Sequence, residues 1–431
     1  MISHASVIIR ADSVGILTDP WQFGTAFNDS WSLLIEPAPL EEYLDQIDYL
    51  WISHEHPDHF HIPTLKSLPE EFKKRVTVLF QESSDHHKMV NAFTKLLGFE
   101  KVRLMPHKTW IELAEGVEAY CYHSRQLDSA LAVRSGGKIA LNINDTEMSE
   151  RDLETVRQDL GPIDVVLNQF SIAGFEGDPE SLSSEAAVVI DDMVRDHRAL
   201  KAKVSIPFAS FVYFSKEDNR FLNEYANSIE NVVDRFDSES LDLCVLAPGD
   251  TFDIDAALQN GIARDHFAAI YSKIDQLPIG NVDPVSLSQI EAAFLKRCEK
   301  LRRMHGLALK LLAPVTIEIP DICECVTVDF ARGTFRAGAA AEPDLTINSQ
   351  PLMFTFAQDF GLQTLGVSGR YRIHKRHSNW FRHRALMAMT NAGIGLSLRK
   401  ALRPGQIAFF WNRRNDLVHQ LRHRISRTVR P

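Results

Sequence analysis

The sequence predicts an α/β protein built from two mixed sheets with helices on their outer faces, followed by a smaller α+β unit. Short apolar runs typical of strands alternate along the chain with segments that have helical spacing. Several strand-like runs follow one another closely enough to form hairpins, which a purely parallel sheet would not contain. With 431 residues, the chain is long enough for two or three domains.

The first 280 residues carry the alternating pattern. The predicted elements begin with a hairpin of strands at 6–9 and 15–18 and continue with a buried strand at 47–53. Further strands are predicted at 76–80, 102–105, 117–123, 129–133, 138–144, 165–168, 203–207 and 244–247, and helices at 63–75, 83–97, 149–160 and 182–200. We therefore expect residues 1–280 to form one domain.

The composition changes after Pro278-Ile279-Gly280. A long amphipathic helix is predicted at 287–312, followed by strands at 316–319, 325–330, 344–347 and 366–373 and a helix at 351–359. These elements predict a small α+β domain at 281–373. Residues 374–431 remain as a separate segment.

The bulk composition indicates a cytoplasmic protein. Hydrophobic residues make up 45% and charged residues 24% of the chain, and no stretch approaches the roughly 18 apolar residues of a membrane span. The N-terminus lacks the basic and apolar regions of a signal peptide. Five scattered cysteines argue against a disulfide framework.

The net charge of −10 hides a basic C-terminal segment with fifteen Lys and Arg residues and one acid from Arg370 onward. Such a segment can bind nucleic acid or an anionic membrane. Interleaved apolar residues such as Trp380 and Trp411 favour packing instead. We therefore expect no nucleic-acid partner and a segment that docks on the acidic body of the same chain or of a second subunit.

The run from Ser53 to His59 carries the strongest functional signal. It places three imidazoles and the carboxylate of Asp58 within six consecutive residues, His54 to His59. These residues directly follow the buried strand predicted at 47–53. Neutral imidazole is the commonest protein ligand for transition metals, and carboxylate oxygen suits a second metal beside it. We predict that His54 and His56 bind one ion and that Asp58 and His59 bind another.

This H-x-H-x-D-H pattern resembles the motif of the metallo-β-lactamase superfamily, which implies an αββα sandwich for the first domain. We expect this sandwich to be followed by a small α+β, sterol-carrier-like domain and a basic helical tail. The resemblance implies His123, at a strand end, as a further metal ligand and Asp145 as a bridging ligand. Asp250 is a second match for the bridge, but it falls too late in the chain order. The candidate catalytic residues are Asp58, His59 and Asp145.

The superfamily's final histidine has no match where it is expected. After the strand at 203–207 the chain reads Phe208-Ala209-Ser210-Phe211, and His197 lies inside the preceding helix, where we expect it on the surface. The resemblance therefore implies that one metal keeps an open position.

Several stretches resemble the family of CMP-N-acetylneuraminate hydroxylases. They are Ser3-His4-Ala5, Asp19-Pro20-Trp21, Gly24-Thr25-Ala26-Phe27, Trp31 through Pro37, Ile52-Ser53-His54, Pro63-Thr64-Leu65 and residues 207–211. The resemblance covers about the first 255 residues. It implies hydroxylation of a small or nucleotide-linked substrate with dioxygen and iron. The paired Cys and His ligands of a Rieske cluster are missing, so electrons would come from a separate protein.

Two chemistries stay open for this site. Two irons would support an oxygenase, which we favour because the final histidine is missing and the hydroxylase-like stretches are present. Two zinc ions would support a hydrolase acting on a phosphodiester, lactone or amide. Histidine and carboxylate ligands accommodate either pair of divalent ions, and a non-catalytic metal-bound scaffold is the third alternative.

Other residues leave alternatives open as well. Asp19 either hydrogen-bonds to a ligating histidine or is an ordinary turn aspartate. His4 either orients a ligand or substrate or forms a hydrogen bond in the core. His61 either supports a ligating residue or faces solvent at a helix start, and we expect the second. Residues 343–370 resemble sterol-carrier-type domains, which hold apolar ligands or serve as lid or dimerisation modules, so both a ligand and a homodimer stay open.

Overall fold

The computed structural model of the chain describes residues 1–83, 86–124, 128–175, 177–258, 260–338, 342–374, 379–391 and 395. The chain divides into two compact units. The first comprises Met1–Ala173 and Glu180–Gly280, and the second comprises Gly174–Pro179 and the described residues from Asn281 onward. Most of the segment 374–431, which we predicted to dock on the body, lies outside the described residues.

The first unit contains two large mixed sheets and one small sheet. The first large sheet has the order β1-β2-β5-β6-β7, with β1 (Ile8–Ala11), β2 (Val14–Thr18), β5 (Tyr49–Trp51), β6 (Thr77–Gln81) and β7 (Lys101–Met105). The second has the order β13-β12-β11-β10-β9-β8, with β8 (Trp110–Ala114), β9 (Val117–His123), β10 (Ser129–Ser135), β11 (Lys138–Asn144), β12 (Val165–Gln169) and β13 (Val204–Phe208). The small sheet joins β3 (Thr25–Ala26), β4 (Trp31–Leu33) and β14 (Val212–Phe214).

Helices cover the outer faces of the two large sheets. They are α1 (Ile62–Ser67), α2 (Glu70–Arg75), α3 (His86–Asn91), α4 (Glu150–Leu160), α5 (Leu182–Leu200), α6 (Ile229–Ser238) and α7 (Gly261–Tyr271). Apolar side chains of α1 to α3 share a core with the first sheet. Those of α4 pack on the second sheet in one cluster, and those of α5 to α7 pack on it in another.

The two sheets meet through a separate apolar core. Trp51 and Leu79 of the first sheet belong to the same buried cluster as Leu131 and Val133 of the second. Burial of apolar surface on both faces of each sheet stabilises this four-layer arrangement. The predicted α/β class, with two mixed sheets between outer helices, is confirmed.

Two predicted elements of the first unit are wrong. The helix predicted at 63–75 is two helices, because Leu68 and Pro69 are extended between α1 and α2. Proline disfavours helical backbone in the residue before it, here Leu68. The segment 244–247, predicted as a strand, is not one; the residue before it, Leu243, forms an isolated bridge with Ser205. The Asn260 side chain instead satisfies the carbonyl of Leu243 and the amide of Val245.

The second unit is an α+β structure. Its helices are α8 (Leu287–Leu309), α9 (Ser349–Ala357), α10 (Gly361–Ser368) and α11 (Trp380–Asn391). Its sheet has the order β17-β16-β15-β18-β19, with β15 (Val315–Ile319), β16 (Glu324–Asp329), β17 (Thr334–Ala337), β18 (Leu345–Ile347) and β19 (Tyr371–Ile373).

The strand predicted at 366–373 is wrong over its first half. Gly366 to Ser368 end α10, and Gly369 caps this helix in the left-handed region with a φ of 67°, a conformation that glycine adopts readily. Only the last residues of the range form β19. The sterol-carrier resemblance stays a prediction. Among the described residues, no helix has the length and apolarity needed to cross a membrane.

Candidate metal centre

Strand ends bring the predicted ligands to one edge of the first unit. Because β2 and β5 are parallel neighbours, Asp19 after β2 lies beside Ser53 after β5. The turn that follows is closed by hydrogen bonds from the amides of His59 and Phe60 to the carbonyl of His56. Asp145 arrives at the same place from the end of β11.

The first group of potential ligands consists of His54, His56 and Asp145, whose ligand atoms all lie within 4.8 Å of one another. The Nε2 atom of His54 lies 3.5 Å from Oδ2 of Asp145 and 2.8 Å from Nδ1 of His56. His54 is buried, Asp145 is half-buried and His56 is exposed. The group therefore has one side that faces solvent.

The second group consists of His4, Asp58 and His59, with ligand atoms again within 4.8 Å of one another. All three side chains are buried. Oδ2 of Asp58 lies 3.3 Å from Nε2 of His4 and 3.4 Å from Nε2 of His59. One carboxylate oxygen thus lies between two imidazole nitrogens.

Asp145 connects the two groups. Its Oδ2 atom is 3.5 Å from Nε2 of His54 and also 3.5 Å from Nε2 of His59. The rings of these two histidines are themselves 4.3 Å apart. The carboxylate therefore stands where a ligand shared by two neighbouring ions would stand.

The carboxylate–imidazole pairs of the centre fit metal ions better than they fit one another, whereas Nε2 of His54 and Nδ1 of His56 are within hydrogen-bond distance at 2.8 Å. Separations of 3.3 to 3.5 Å are long for hydrogen bonds, but two ligands about 2.1 Å from one tetrahedral ion are roughly 3.4 Å apart. Nε2 of His59, Oδ1 of Asp58 and Oδ1 of Asp145 are buried and have no hydrogen-bond partner among the described residues. Buried polar atoms rarely stay unpaired, so this chain has the donors for a dinuclear site.

The opposite ring nitrogens are held by the protein. Nδ1 of His59 donates to Oδ2 of Asp19 at 2.9 Å, and Nδ1 of His54 lies 2.9 Å from Oγ of Ser53. These contacts leave both Nε2 atoms directed at the centre, as partners of metal-binding histidines commonly do. The hydrogen bond expected as one alternative for Asp19 is confirmed.

The two buried histidines of the centre, His54 and His59, differ in the direction of their pKa shifts. Burial lowers the pKa of His54 to about 3, although Asp145 acts in the opposite direction, so this imidazole is neutral. Burial opposes protonation of His59 too, but the carboxylates of Asp145 and Asp58 outweigh it and raise its pKa well above the usual value. The pKa of Asp58 falls to about 2 because His59 and His4 overcome the effect of burial.

The structure does not bring His123 together with the other predicted ligands. Its Nε2 atom lies 3.0 Å from the carbonyl oxygen of Met105, its ring is 5.0 Å from that of His107, and neither group of potential ligands includes it. Asp250, the rejected alternative for the bridge, is exposed and accepts a hydrogen bond from the amide of Ala247.

Two histidines that we expected at the surface are buried. His197 is 5% exposed and its Nδ1 lies 2.9 Å from Oγ of Ser205, because the last turns of α5 lie against β13. His61 is 1% exposed and accepts the amide hydrogen of Thr64 as the N-cap of α1. Both surface predictions are wrong, since each ring has a polar partner inside the protein.

Sequence reasoning missed one nearby carboxylate. Oδ1 of Asp128 lies 3.9 Å from Nε2 of His54, and burial together with the charge of Asp145 raises the pKa of Asp128 well above its usual value. Asp128 directly precedes β10, whose first residue, Ser129, pairs with His123. The available signal was the position of Asp128 at the start of a strand that follows the one ending at His123, a predicted ligand.

Comparison with known proteins supports the resemblance seen in the sequence. Residues 1–124 match the beta-lactamase superfamily domain. The cytidine monophosphate-N-acetylneuraminic acid hydroxylase of Danio rerio is 24% identical over 288 residues, which cover 60% of this chain and 46% of the relative. The hydroxylase of Sus scrofa is 41% identical over 69 residues, 16% of each protein.

The chain spans about half the length of the relatives that it matches over the longer alignments, 46% of the Danio rerio hydroxylase and 54% of the inactive hydroxylase of Homo sapiens. Among solved structures, the diiron beta-hydroxylase CmlA of Streptomyces venezuelae is similar with a TM-score of 0.40 and 16% identity, covering 57% of this chain and 52% of that one. Human tRNase Z, short form, is similar with a TM-score of 0.36 and 12% identity over 59% of this chain and 93% of that one. The residues matched by the beta-lactamase superfamily domain, 1–124, include the whole H-x-H-x-D-H motif at 54–59.

Proposed function

We propose that this chain is a dinuclear metal-dependent oxygenase that hydroxylates a small or nucleotide-linked substrate with electrons from a separate protein. The observation that carries the proposal is the position of Asp145, with one oxygen 3.5 Å from a nitrogen of His54 and of His59. His54 and His56 would hold one ion, Asp58 and His59 would hold the other, and Asp145 would contact both.

The donor set suits iron. Neither group contains a cysteine, and imidazole with carboxylate oxygen is a ligand combination that iron shares with zinc. Bound iron would supply the activation of dioxygen. The side chains would hold the ions, and the exposed edge at His56 would leave room for substrate. The hydroxylases matched over 60% of the chain support an oxygenase over other chemistries.

A zinc-dependent hydrolase is the second candidate. The same solvent-facing edge, formed by exposed His56 and half-buried Asp145, would admit the water that a metal-assisted hydrolysis needs. A phosphodiester, lactone or amide would then be the substrate. The match to the beta-lactamase superfamily domain is compatible with this class as well.

Metal analysis and activity assays separate the two candidates. After anaerobic purification, the oxygenase predicts two irons per chain and oxygen uptake that requires a reductant. Two zinc ions together with turnover of a phosphodiester or lactone panel would reject it. The double variant His54→Ala/Asp145→Ala should lose metal under both candidates. Asp250→Asn changes an exposed aspartate away from the centre and should keep metal and activity.

A further inference from the structure

His4 is a buried histidine without the hydrogen bonds that such residues normally make. Its side chain is 1% exposed, and both ring nitrogens lack a hydrogen-bond partner among the described residues. A neutral imidazole has one donor and one acceptor to satisfy, and leaving them unpaired costs free energy. The hydrogen-bonded core histidine that we considered as one alternative therefore does not describe His4.

The ring of His4 is directed at the other two members of the second group, Asp58 and His59. Its Nε2 lies 3.3 Å from Oδ2 of Asp58, and its ring centre lies 5.9 Å from that of His59. The ring of Trp21 packs edge to face against that of His4, with ring centres 5.7 Å apart. The carbonyl of Trp21 is itself fixed by the hydroxyl of Ser3 at 2.7 Å, so the environment holds the imidazole in place.

The backbone of His4 is attached to the end of β13. Its carbonyl accepts a hydrogen bond of 2.9 Å from the amide of Ala209, which has a left-handed φ of 49°. Residues 208–211 are the place where the resemblance predicts a final histidine and the chain has none. His4 therefore reaches this strand end from a distant part of the sequence.

We infer that His4 is a metal ligand and takes the position of the histidine that is missing after β13. The inference rests on the proposed dinuclear centre and adds a protein donor to it. The ion held by Asp58 and His59 then has a second imidazole, and each ion has two histidines. The coordination position that the sequence left open is filled by the first turn of the chain.

Metal titration of the full chain tests this inference. The protein is stripped with a chelator and titrated with Zn²⁺ against a chromophoric chelator, which counts the sites and measures their affinities. His4→Ala should weaken one of the two sites by about 100-fold or more and leave the other tight, because one of few protein ligands is removed. His266→Ala is the control, since His266 is an exposed histidine of α7 that lies outside both groups, and it should keep both sites.

Thermal unfolding of the same variants distinguishes a ligand from a packing residue. A ligand role predicts that His4→Ala loses part of the stabilisation by Zn²⁺ while the metal-free protein unfolds at an unchanged or higher temperature. Should His4→Ala fail to fold, His4→Gln keeps a side chain of similar reach with a weaker oxygen donor. It should bind at the affected site with intermediate affinity.

Each result decides a different claim. Two tight sites of unchanged affinity in His4→Ala or His4→Gln overturn the assignment of His4 and leave the dinuclear centre standing. A wild-type protein that binds no Zn²⁺ overturns both. In a third outcome, the wild type binds two metals and His4→Ala shows the expected loss of affinity at one site, while the iron-loaded wild type takes up no oxygen with a reductant. That combination upholds His4 as a ligand and rejects the oxygenase.

Discussion

The carboxylate of Asp19 accepts a hydrogen bond of 2.9 Å from Nδ1 of His59. The same carboxylate also accepts the amide and the hydroxyl of Ser53, at 2.8 and 2.7 Å, and the side-chain amide of Asn144 at 3.2 Å. Ser53 in turn contacts His54, and Asn144 precedes Asp145. One buried carboxylate therefore connects the residues that position both groups of the candidate centre.

We expect Asp19→Asn to lower metal affinity by about 10- to 100-fold, the usual effect of losing the partner of a metal-binding histidine. The amide can still accept one hydrogen bond, but it no longer orients His59 as a charged acceptor does. Chelator competition measures the change. Asp164→Asn is the control, because Asp164 is a buried carboxylate that accepts the amide of Ile139 at 2.8 Å away from the centre. Equal affinities of the two variants would contradict a positioning role.

The order of strands and helices could be predicted because it depends on local patterns. The hairpin of β1 and β2, the buried strand β5 and helix α5 follow directly from hydrophobic spacing and turn residues. The break at Pro69 is a local signal as well, since proline disfavours helical backbone in the residue before it; the missing strand after Leu243 is not. The second depends on Asn260, a side chain distant in sequence that replaces the strand's hydrogen bonds.

The candidate site was predictable only where its residues are neighbours in the sequence or follow recognisable strand ends. His54, His56, Asp58 and His59 are contiguous, and Asp145 ends a clear strand. His4 and Asp128 reach the centre through tertiary contacts, namely the hydrogen bond of His4 with Ala209 and the pairing of β9 with β10. The ring of His123 is directed to the carbonyl of Met105 instead of the centre. Sequence spacing does not predict the direction of a side chain at a strand end.

Gly15→Ala should destabilise the first unit strongly. A Cβ atom at this position would stand 1.8 Å from the carbonyl oxygen of Gln46, so β2 or the chain before β5 would have to move. Overpacking of this kind costs about 1–3 kcal/mol or more. Denaturant unfolding measures the loss. Gly261→Ala, where a Cβ meets nothing within 4 Å, should stay close to wild type, and a similar stability of both variants would contradict the clash.

Asp196 should make the stability of the chain depend on pH. Burial raises its pKa to about 6, although Arg195 opposes the shift. Because the folded pKa lies above the unfolded value of about 3.9, the native state favours the protonated form. Its contribution is fully present below about pH 4 and is lost as the pH rises through 6.

Asp196→Asn removes this titration. Between pH 4 and pH 7 the free energy of unfolding of the wild type should fall relative to that of the variant by about 2–3 kcal/mol. Comparing the difference at two pH values cancels the constant effect of losing one acceptor for Arg195 and Asn168. Asp191→Asn, an exposed aspartate on the same helix, should show a much smaller change. A difference that is flat across this range would contradict the assignment.

Asp128 should destabilise the metal-free protein and help to hold the metal. Its carboxylate is buried 3.9 Å from Nε2 of His54 and its pKa is raised by burial and by the charge of Asp145, so two carboxylates compete for one desolvated site. Asp128→Asn should therefore stabilise the metal-free protein by about 1 kcal/mol. Removing a negative charge should also reduce the rise in melting temperature that Zn²⁺ produces, since that rise follows the affinity.

Asp265→Asn, an exposed aspartate of α7, should change neither quantity. A variant with lower metal-free stability and an unchanged response to Zn²⁺ would instead make Asp128 a structural residue of the turn before β10.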